Sequence, residues 1–190
     1  MGNKRIIIGA SGASGAPLLL KVLEVLRNVP DCRTVLIMNK GAEYTLACET
    51  YITLEEAAAL ADEYYSSDEI TAGPASGSYD SAGMLVVPCS MKTLAGICSG
   101  YADNLLLRSA DVMLKEKKTL VLCPRECPLS PVHLRNMLEL SELPNVHIMP
   151  PMQTFYYRPE TINEMLFQTA ARLLVPFDIE AEGRAKWNGM

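Results

Sequence analysis

The sequence predicts a single α/β domain over residues 1–190, folded as a flavodoxin-like or Rossmann-like three-layer sandwich with a mostly parallel sheet. Short, continuous apolar runs alternate with segments of helical periodicity, and strands that lack polar alternation are typical of a parallel sheet covered on both faces. The first apolar run also leads straight into a loop of Gly, Ala and Ser followed by a helix, which is common where nucleotides bind.

The apolar runs and the helical repeats give the elements in alternating order. We expect strands at Ile6–Ile8, Val35–Met38, Met84–Val87, Thr119–Cys123 and Val146–Met149. We expect helices at Leu18–Leu26, Gly41–Cys48, Leu54–Ala61, Thr93–Gly100, Leu105–Lys115, Pro131–Leu140 and Thr161–Leu174. The polar, turn-rich stretch 66–82 is long for a connection in a compact domain, so it is either a surface linker or a functional loop.

The loop after the first strand predicts an anion site, most often for phosphate, because a helix N-terminus presents free N–H groups and the positive end of the helix dipole. Gly9, Gly12 and Gly15 are spaced three apart, unlike the dinucleotide fingerprint, and no Lys follows them as in a Walker loop. The second strand ends in Asn39 rather than an acidic residue. The pattern therefore favours a mononucleotide such as FMN, with a tight packing turn as the alternative.

Composition excludes several classes of protein. A net charge of −5 argues against a general nucleic-acid binder, and no apolar run approaches the length of a membrane span. Six cysteines without a CxxC pair and only two histidines argue against a structural zinc site. The first residues lack a signal-peptide layout, so we expect a cytoplasmic protein with buried, reduced thiols.

Polar residues follow the third and fourth strands, where an open sheet binds its ligands. Ser90 and Thr93 either cap a helix or offer hydrogen-bond donors to a cofactor. Arg125 and Glu126 stand between two prolines at the end of a buried strand, where a charged pair costs desolvation. They are either a local ion pair or a phosphate-binding Arg beside a Glu that handles protons.

Four further polar residues are candidate ligands for phosphate. Arg108 and Lys115 are seven residues apart and so share one face of a helix, although a solvated face is the simpler interpretation. Tyr156 and Arg172 add a hydroxyl and another cation. These residues thus indicate a flavin- or nucleotide-binding α/β protein and do not specify a reaction.

Six segments together resemble the UbiX/Pad1 family of flavin prenyltransferases, over residues 6–187. They are Gly9–Ala16, Ser76–Ser78, Pro88–Gly96, Arg108–Glu116, Pro124–Glu126 and Phe155–Pro159. The resemblance implies a flavodoxin-like fold, usually a dodecamer with sites between subunits, and transfer of a dimethylallyl group from dimethylallyl phosphate to N5 and C6 of reduced FMN. It also implies that no metal is needed and that a UbiD-type decarboxylase receives the prenylated FMN.

The resemblance further implies roles for individual residues. The expected FMN-binding residues are Gly12, Ala13, Ser14, Asn39, Ser90, Met91, Lys92, Thr93 and Arg125. Dimethylallyl phosphate would be bound by Arg108, which reaches in from a neighbouring subunit, and by Lys115, Tyr156 and Arg172. The expected catalytic residues are Ser14, Glu49, Lys115 and Glu126. Asn39 stands where many members carry Ser, so we expect flavin binding with altered geometry.

Within the family, the sequence is more similar to the branch encoded with hydroxyarylic or phenolic acid decarboxylases, as the small subunit of those systems, than to the ubiquinone branch. Two alternatives stay open: a non-catalytic, FMN-binding assembly subunit of a decarboxylase, and a flavin-dependent cysteine decarboxylase-like enzyme. The latter uses a His in the helix after the second strand, and Gly41–Cys48 has none. The tail 176–190, which carries Trp187, is expected to dock on a neighbouring subunit.

Overall fold

A computed structural model describes residues 4–187 and residue 189, and its strands form one six-stranded sheet. All neighbouring strands are parallel, and their order is β3-β2-β1-β4-β5-β6. The strands are β1 Lys4–Ala10, β2 Cys32–Met38, β3 Glu63–Ser66, β4 Gly83–Cys89, β5 Thr119–Pro124 and β6 Val146–Ile148. The predicted parallel α/β fold is confirmed.

Helices cover both faces of this sheet. They are α1 Ala16–Arg27, α2 Lys40–Glu49, α3 Leu54–Ala58, α4 Met91–Ser99, α5 Leu105–Lys115, α6 Pro131–Ser141 and α7 Ile162–Leu174. One apolar cluster joins the sheet to α1, α2 and α7, and a second joins its other face to α4, α5 and α6. The result is the predicted three-layer sandwich. None of the helices in the described residues is both long and apolar enough to cross a membrane.

The strand β3 was not predicted from the sequence. It has only four residues, all half-buried, and pairs with β2 alone at the edge of the sheet. Because an edge strand this short contains Glu63 and Ser66, it forms no continuous apolar run. Without β3 the strand order would be that of flavodoxin, and with it the order is that of the six-stranded Rossmann sheet. The neighbouring helix α3 also ends earlier than expected, at Ala58 rather than Ala61.

The strand order reverses between β1 and β4, and here the chain ties two strand ends together. The buried Ser11 hydroxyl accepts the Ser90 N–H at 2.8 Å, and the Ser11 N–H donates to the Pro88 carbonyl at 3.1 Å. The connection after β1 leads to one face of the sheet and the connection after β4 to the other. Ligands of open α/β sheets bind outside the carboxyl ends of strands at such a point. The loops after β1 and β4 therefore form one rim.

Candidate active site

The N-terminus of α1 binds an acidic side chain of the same chain. The backbone N–H groups of Gly15 and Ala16 both donate to Glu49 Oε2 at 2.8 Å. Gly15 has a φ of 139°, a conformation that favours glycine and turns these groups towards the carboxylate. The predicted anion site is therefore present, but its anion is a carboxylate. The expectation that these N–H groups bind phosphate is wrong for this structure, because Glu49 already uses them.

The surroundings of Glu49 keep it ionised. Partial burial raises its pKa, but hydrogen bonds from the Gly15 N–H, the Ser14 hydroxyl and the Ala16 N–H, together with the charge of Arg125, hold the pKa below its ordinary value. Glu49 is the last residue of α2, which begins after Asn39. The Asn39 side chain accepts the Ala42 N–H at 2.9 Å and so fixes the start of that helix.

A cavity of about 470 Å³ opens beside Glu49 at the carboxyl ends of β4 and β5. Three predicted site residues line it together: Ser14, Glu49 and Arg125. Much of the remaining wall is apolar and is formed by Pro17, Leu18, Pro88, Pro151, Ile162 and Leu166. Cys123 also lines the cavity, and burial raises the pKa of its thiol to about 12, so it is not an activated nucleophile. The cavity thus combines one cation and one carboxylate with an apolar wall.

A second cavity, of about 650 Å³, is lined by three more of the predicted FMN residues: Asn39, Lys92 and Thr93. Lys92 is exposed and forms no ion pair or hydrogen bond with another described residue, so its charge is available to an anion. Ser90 caps α4 by accepting the Thr93 N–H at 3.2 Å. The capping interpretation of Ser90 is confirmed, and its role in cofactor binding stays a prediction. Met91 is buried in the first turn of α4.

Gly12 also has a packing role. A Cβ added there would lie 2.9 Å from the Gly41 Cα, so the loop touches the backbone of α2 and leaves no room for a side chain. Gly12 is exposed on its other side, and Ala13 beside it is half-buried. The packing alternative therefore accounts for this glycine, while flavin binding by Gly12 and Ala13 stays a prediction.

Arg125 and Glu126 do not form a local ion pair, which was one of the two alternatives for them. Both side chains are exposed, so the desolvation cost expected at the end of a buried strand does not arise. The Glu126 carboxylate accepts the Cys127 N–H at 3.0 Å, while the charge of Arg125 acts on Glu49. The expectation of buried thiols is likewise wrong for Cys48 and Cys127, which are exposed.

Tyr156 and Arg172 line a third, smaller cavity of about 140 Å³. The segment 149–154 separates it from the cavity of Glu49, since residues of this segment line both. The Tyr156 ring lies 5.5 Å from the ring of Trp187 of its own chain, and Arg172 forms no ion pair within the described residues. Docking of the tail on another subunit stays a prediction, and residues 188 and 190 of that tail lie outside the described residues.

The topology places Lys115 at the opposite edge of the sheet. It ends α5 just before β5 begins at Thr119, whereas the cavity of Glu49 lies at the carboxyl end of β5. The length of β5 alone separates the two edges by about 17 Å. Arg108, on the same helix, lines none of these three cavities. One chain therefore does not bring its predicted donor-binding residues together.

Ser11 is the residue of this rim that sequence reasoning missed. Its hydroxyl and backbone join the ends of β1 and β4. The signal was a small polar residue directly after an apolar strand, whereas the expected roles in this loop fell on Gly12, Ala13 and Ser14. Among the described residues, no three His, Cys, Asp or Glu side chains are grouped so that they could hold a metal ion.

Known proteins are similar to this chain in sequence and in fold. The family described as Flavoprotein matches residues 1–169. A probable UbiX-like flavin prenyltransferase of Sedimentibacter hydroxybenzoicus is 47% identical over 185 residues, which cover 97% of each chain. A dodecameric FMN-dependent UbiX-like decarboxylase from Escherichia coli O157:H7 is 46% identical with a TM-score of 0.95, covering 97% of this chain and 100% of that one. AnUbiX (PadA1), solved with FMN and dimethylallyl pyrophosphate, is 44% identical with a TM-score of 0.95, covering 99% of each chain.

Proposed function

The chain belongs to the flavoprotein family and, within it, to the UbiX-like flavin prenyltransferases, and on this premise we propose that it transfers a dimethylallyl group from dimethylallyl phosphate to N5 and C6 of reduced FMN. The observation that carries the proposal is the cavity at the strand-order reversal, where Ser14, Glu49 and Arg125 meet an apolar wall. Reduced FMN supplies the two nucleophilic atoms of the reaction when it is bound. The product is prenylated FMN.

The two cavities beside the rim fit a flavin mononucleotide. Small residues at Gly12, Ala13 and Ser14 leave the loop after β1 open to a flat ring system, and the unpaired Lys92 offers a charge to a phosphate. Because Glu49 takes the N–H groups of α1, we place the flavin phosphate elsewhere, on the side of Asn39 and Lys92. The remaining proposed FMN contacts are Ser90, Met91, Thr93 and Arg125.

The residues at Glu49 suit the proton and charge movements of prenyl transfer. The second bond, from the tertiary prenyl carbon to C6, forms as the prenyl double bond takes up a proton at its other carbon, and C6 then loses its own proton. The ionised Glu49 is available to accept that proton through the Ser14 hydroxyl that it binds. When the donor C–O bond breaks, the electron pair leaves with the phosphate oxygen, and nearby cations stabilise that negative charge. The apolar wall keeps water from the allylic carbon. Glu126, next to Arg125, is proposed as a second group that handles protons.

The donor phosphate is proposed to lie between copies of this chain. Tyr156 and Arg172 stand near the cavity of Glu49, across the segment 149–154. Arg108 and Lys115 lie away from it and so would come from the α5 of a neighbouring subunit. The similar protein from Escherichia coli O157:H7 is dodecameric, and a dodecamer is proposed here. The tail with Trp187 would then contact a neighbouring copy.

The product has a further use in this proposal. Prenylated FMN would pass to a UbiD-type decarboxylase, and the sequence favours one that acts on hydroxyarylic or phenolic acids. The cytoplasmic location is proposed together with this partner. Purified protein that activates an apo-decarboxylase only in the presence of FMN and donor would support the partnership.

Mass spectrometry of the flavin tests the proposed function. The protein is incubated under anaerobic conditions with reduced FMN and dimethylallyl phosphate, and the flavin is then weighed. We expect a mass gain of one prenyl group, which disappears when the donor or the protein is omitted. An unchanged flavin mass, with FMN bound, would instead support a non-catalytic assembly subunit.

A further inference from the structure

The connection between β3 and β4 runs along the whole of α5. We call its residues 67–81 the strap. At its start, the Ser67 carbonyl accepts the Leu105 N–H at 2.7 Å, and near its end the Tyr79 carbonyl accepts a hydrogen bond from Lys118 Nζ at 3.2 Å. Leu105 begins α5 and Lys118 follows its last turn. The strap is therefore bonded to both ends of this helix and is not a free linker.

The end of the strap is also bonded to the sheet. The Tyr79 hydroxyl donates to Glu63 Oε2 at 3.2 Å, and the Arg5 guanidinium lies 4.8 Å from the centre of the Tyr79 ring. Burial and the Glu63 carboxylate raise the pKa of Tyr79 to about 12, so its hydroxyl keeps its proton near neutral pH. These contacts hold the strap against β1 and β3 at the amino edge.

The middle of the strap touches the two cations of α5. Arg108 Nε donates to the Ala75 carbonyl at 3.1 Å, and the same guanidinium pairs with Asp111 at 2.5 Å. Lys115 pairs with Glu116, and both side chains pass over Gly77. A Cβ added at Gly77 would lie 2.6 Å from Lys115 Nζ and would also overlap the Glu116 carboxylate. The absence of a side chain at Gly77 therefore makes the space in which the Lys115 ammonium sits.

We propose that the strap is the positioning element for the donor phosphate, with Gly77 setting the place of Lys115 and the Ala75 carbonyl that of Arg108. This inference rests on the proposed function, in which both cations bind that phosphate. Lysine carries its charge on a flexible four-carbon stem, so its ammonium meets a phosphate oxygen reliably only when its surroundings limit its conformations. Gly77 acts through Lys115 and need not touch the substrate.

The substitution Gly77→Ala tests the role of that space. Gly77 does not have a glycine-favouring φ, and the atoms in the way are the ends of two flexible side chains, so the fold accommodates alanine while Lys115 and Glu116 move. We expect the KM for dimethylallyl phosphate to rise roughly tenfold, with kcat changed less and FMN affinity unchanged. The control Ser141→Ala changes a residue of α6 outside the strap and the three cavities, whose hydroxyl donates to the Leu138 carbonyl, and should leave the KM unchanged.

A double-mutant cycle separates positioning from a merely structural effect. If Gly77 acts through Lys115, the Gly77→Ala effect disappears in the Lys115→Gln background. An unchanged KM in Gly77→Ala, an effect that persists beside Lys115→Gln, or loss of the oligomer in sedimentation would each overturn the proposal. The wild-type protein distinguishes the two hypotheses in the same assay. Product from the wild type with an unchanged variant KM counts against the strap alone, whereas no product from the wild type counts against the proposed function.

Discussion

At the carboxyl edge of the sheet, Glu49 is bound by two backbone N–H groups and a hydroxyl of its own chain. At the amino edge, Lys115 is an exposed cation whose side-chain partner, Glu116, is the next residue along the chain. Backbone groups distant in sequence thus bind the Glu49 carboxylate directly, whereas the Lys115 ammonium is exposed and the strap only limits its position. The difference supports the proposal that one chain supplies the flavin half of the site and that the donor half requires another copy.

The largest effect on activity is expected for a substitution at the carboxyl edge of the sheet. Glu49→Gln keeps an oxygen that accepts the N–H groups of Gly15 and Ala16 but removes the charge that accepts a proton. We expect kcat for prenylation to fall about a hundredfold to a thousandfold, with FMN affinity nearly unchanged. Mass spectrometry of the flavin over time measures the rate. Glu43→Gln, on the same helix but outside the cavity, should retain wild-type kcat. An equal loss of kcat in Glu43→Gln would show that the effect is not specific to the Glu49 carboxylate.

Lys115→Gln tests the amino edge in the same assay. Loss of a charge-assisted hydrogen bond of about 1.5–3 kcal/mol should raise the KM for dimethylallyl phosphate roughly tenfold to a hundredfold and leave FMN binding intact. The control is Lys117→Gln, two residues further along. Among the residues that the structure describes, the Lys117 side chain forms no hydrogen bond with the strap and no ion pair with an acidic side chain. A weaker FMN affinity in Lys115→Gln would place this residue with the flavin instead.

The glycine contact between the first loop and α2 should be sensitive to one methyl group. In Gly12→Ala, the new Cβ meets the Gly41 backbone, which cannot rotate away as a side chain does. We expect a loss of about 1–3 kcal/mol in the free energy of unfolding, together with weaker FMN binding, measured by denaturation and flavin titration. Gly96→Ala is the control for stability, because its Cβ would press on the flexible Leu107 side chain, while the nearest backbone atom given, the Tyr101 carbonyl oxygen, would lie at an ordinary contact distance of 3.6 Å. Equal stability of both variants would show that the loop moves freely.

The smallest effect is a pH dependence of stability. Since the folded state lowers the pKa of Glu49, its carboxylate stabilises the fold above the ordinary value of 4.5, and this contribution is lost as the pH falls through the lower folded value. Wild type should therefore have a higher Tm than Glu49→Gln near neutral pH, with the gap closing in acid. Thermal melts of both proteins across this range measure it. A constant gap would mean that the charge of Glu49 does not matter.

The sequence predicted the site residues at the carboxyl edge better than those at the amino edge, because residues adjacent in sequence form the loop after β1. The run from Gly9 to Pro17 contains a strand end, a turn and a helix start, so residues close in sequence determine that geometry. Its true anion could not be found this way, because Glu49 lies more than thirty residues further on, a separation that the hydrogen bonds to Gly15 and Ala16 span. Five of the six strands were found because they are apolar runs, and β3 was missed because it is a short edge strand with polar residues.

The strap shows a second limit of sequence reasoning. Its composition is that of a surface linker, and nothing local reveals that Ala75 and Gly77 contact α5. The sequence also predicted that Arg108 and Lys115 share one face of a helix. Their distance from Glu49 could not be predicted, because it depends on the edge of the sheet at which each end of α5 lies. The sheet topology and the assembly of subunits determine this position.

Mixed oligomers test most directly whether two copies build each site. Co-expressed Glu49→Gln and Lys115→Gln subunits are purified together and assayed for prenylated flavin beside each variant alone, at a dimethylallyl phosphate concentration well below the wild-type KM, where both variants are nearly inactive. If each site takes Glu49 from one copy and Lys115 from another, random mixing restores about a quarter of wild-type activity, because some sites receive both native residues. Activity no higher than the mean of the two variants would show that both residues act within one chain and would contradict the account.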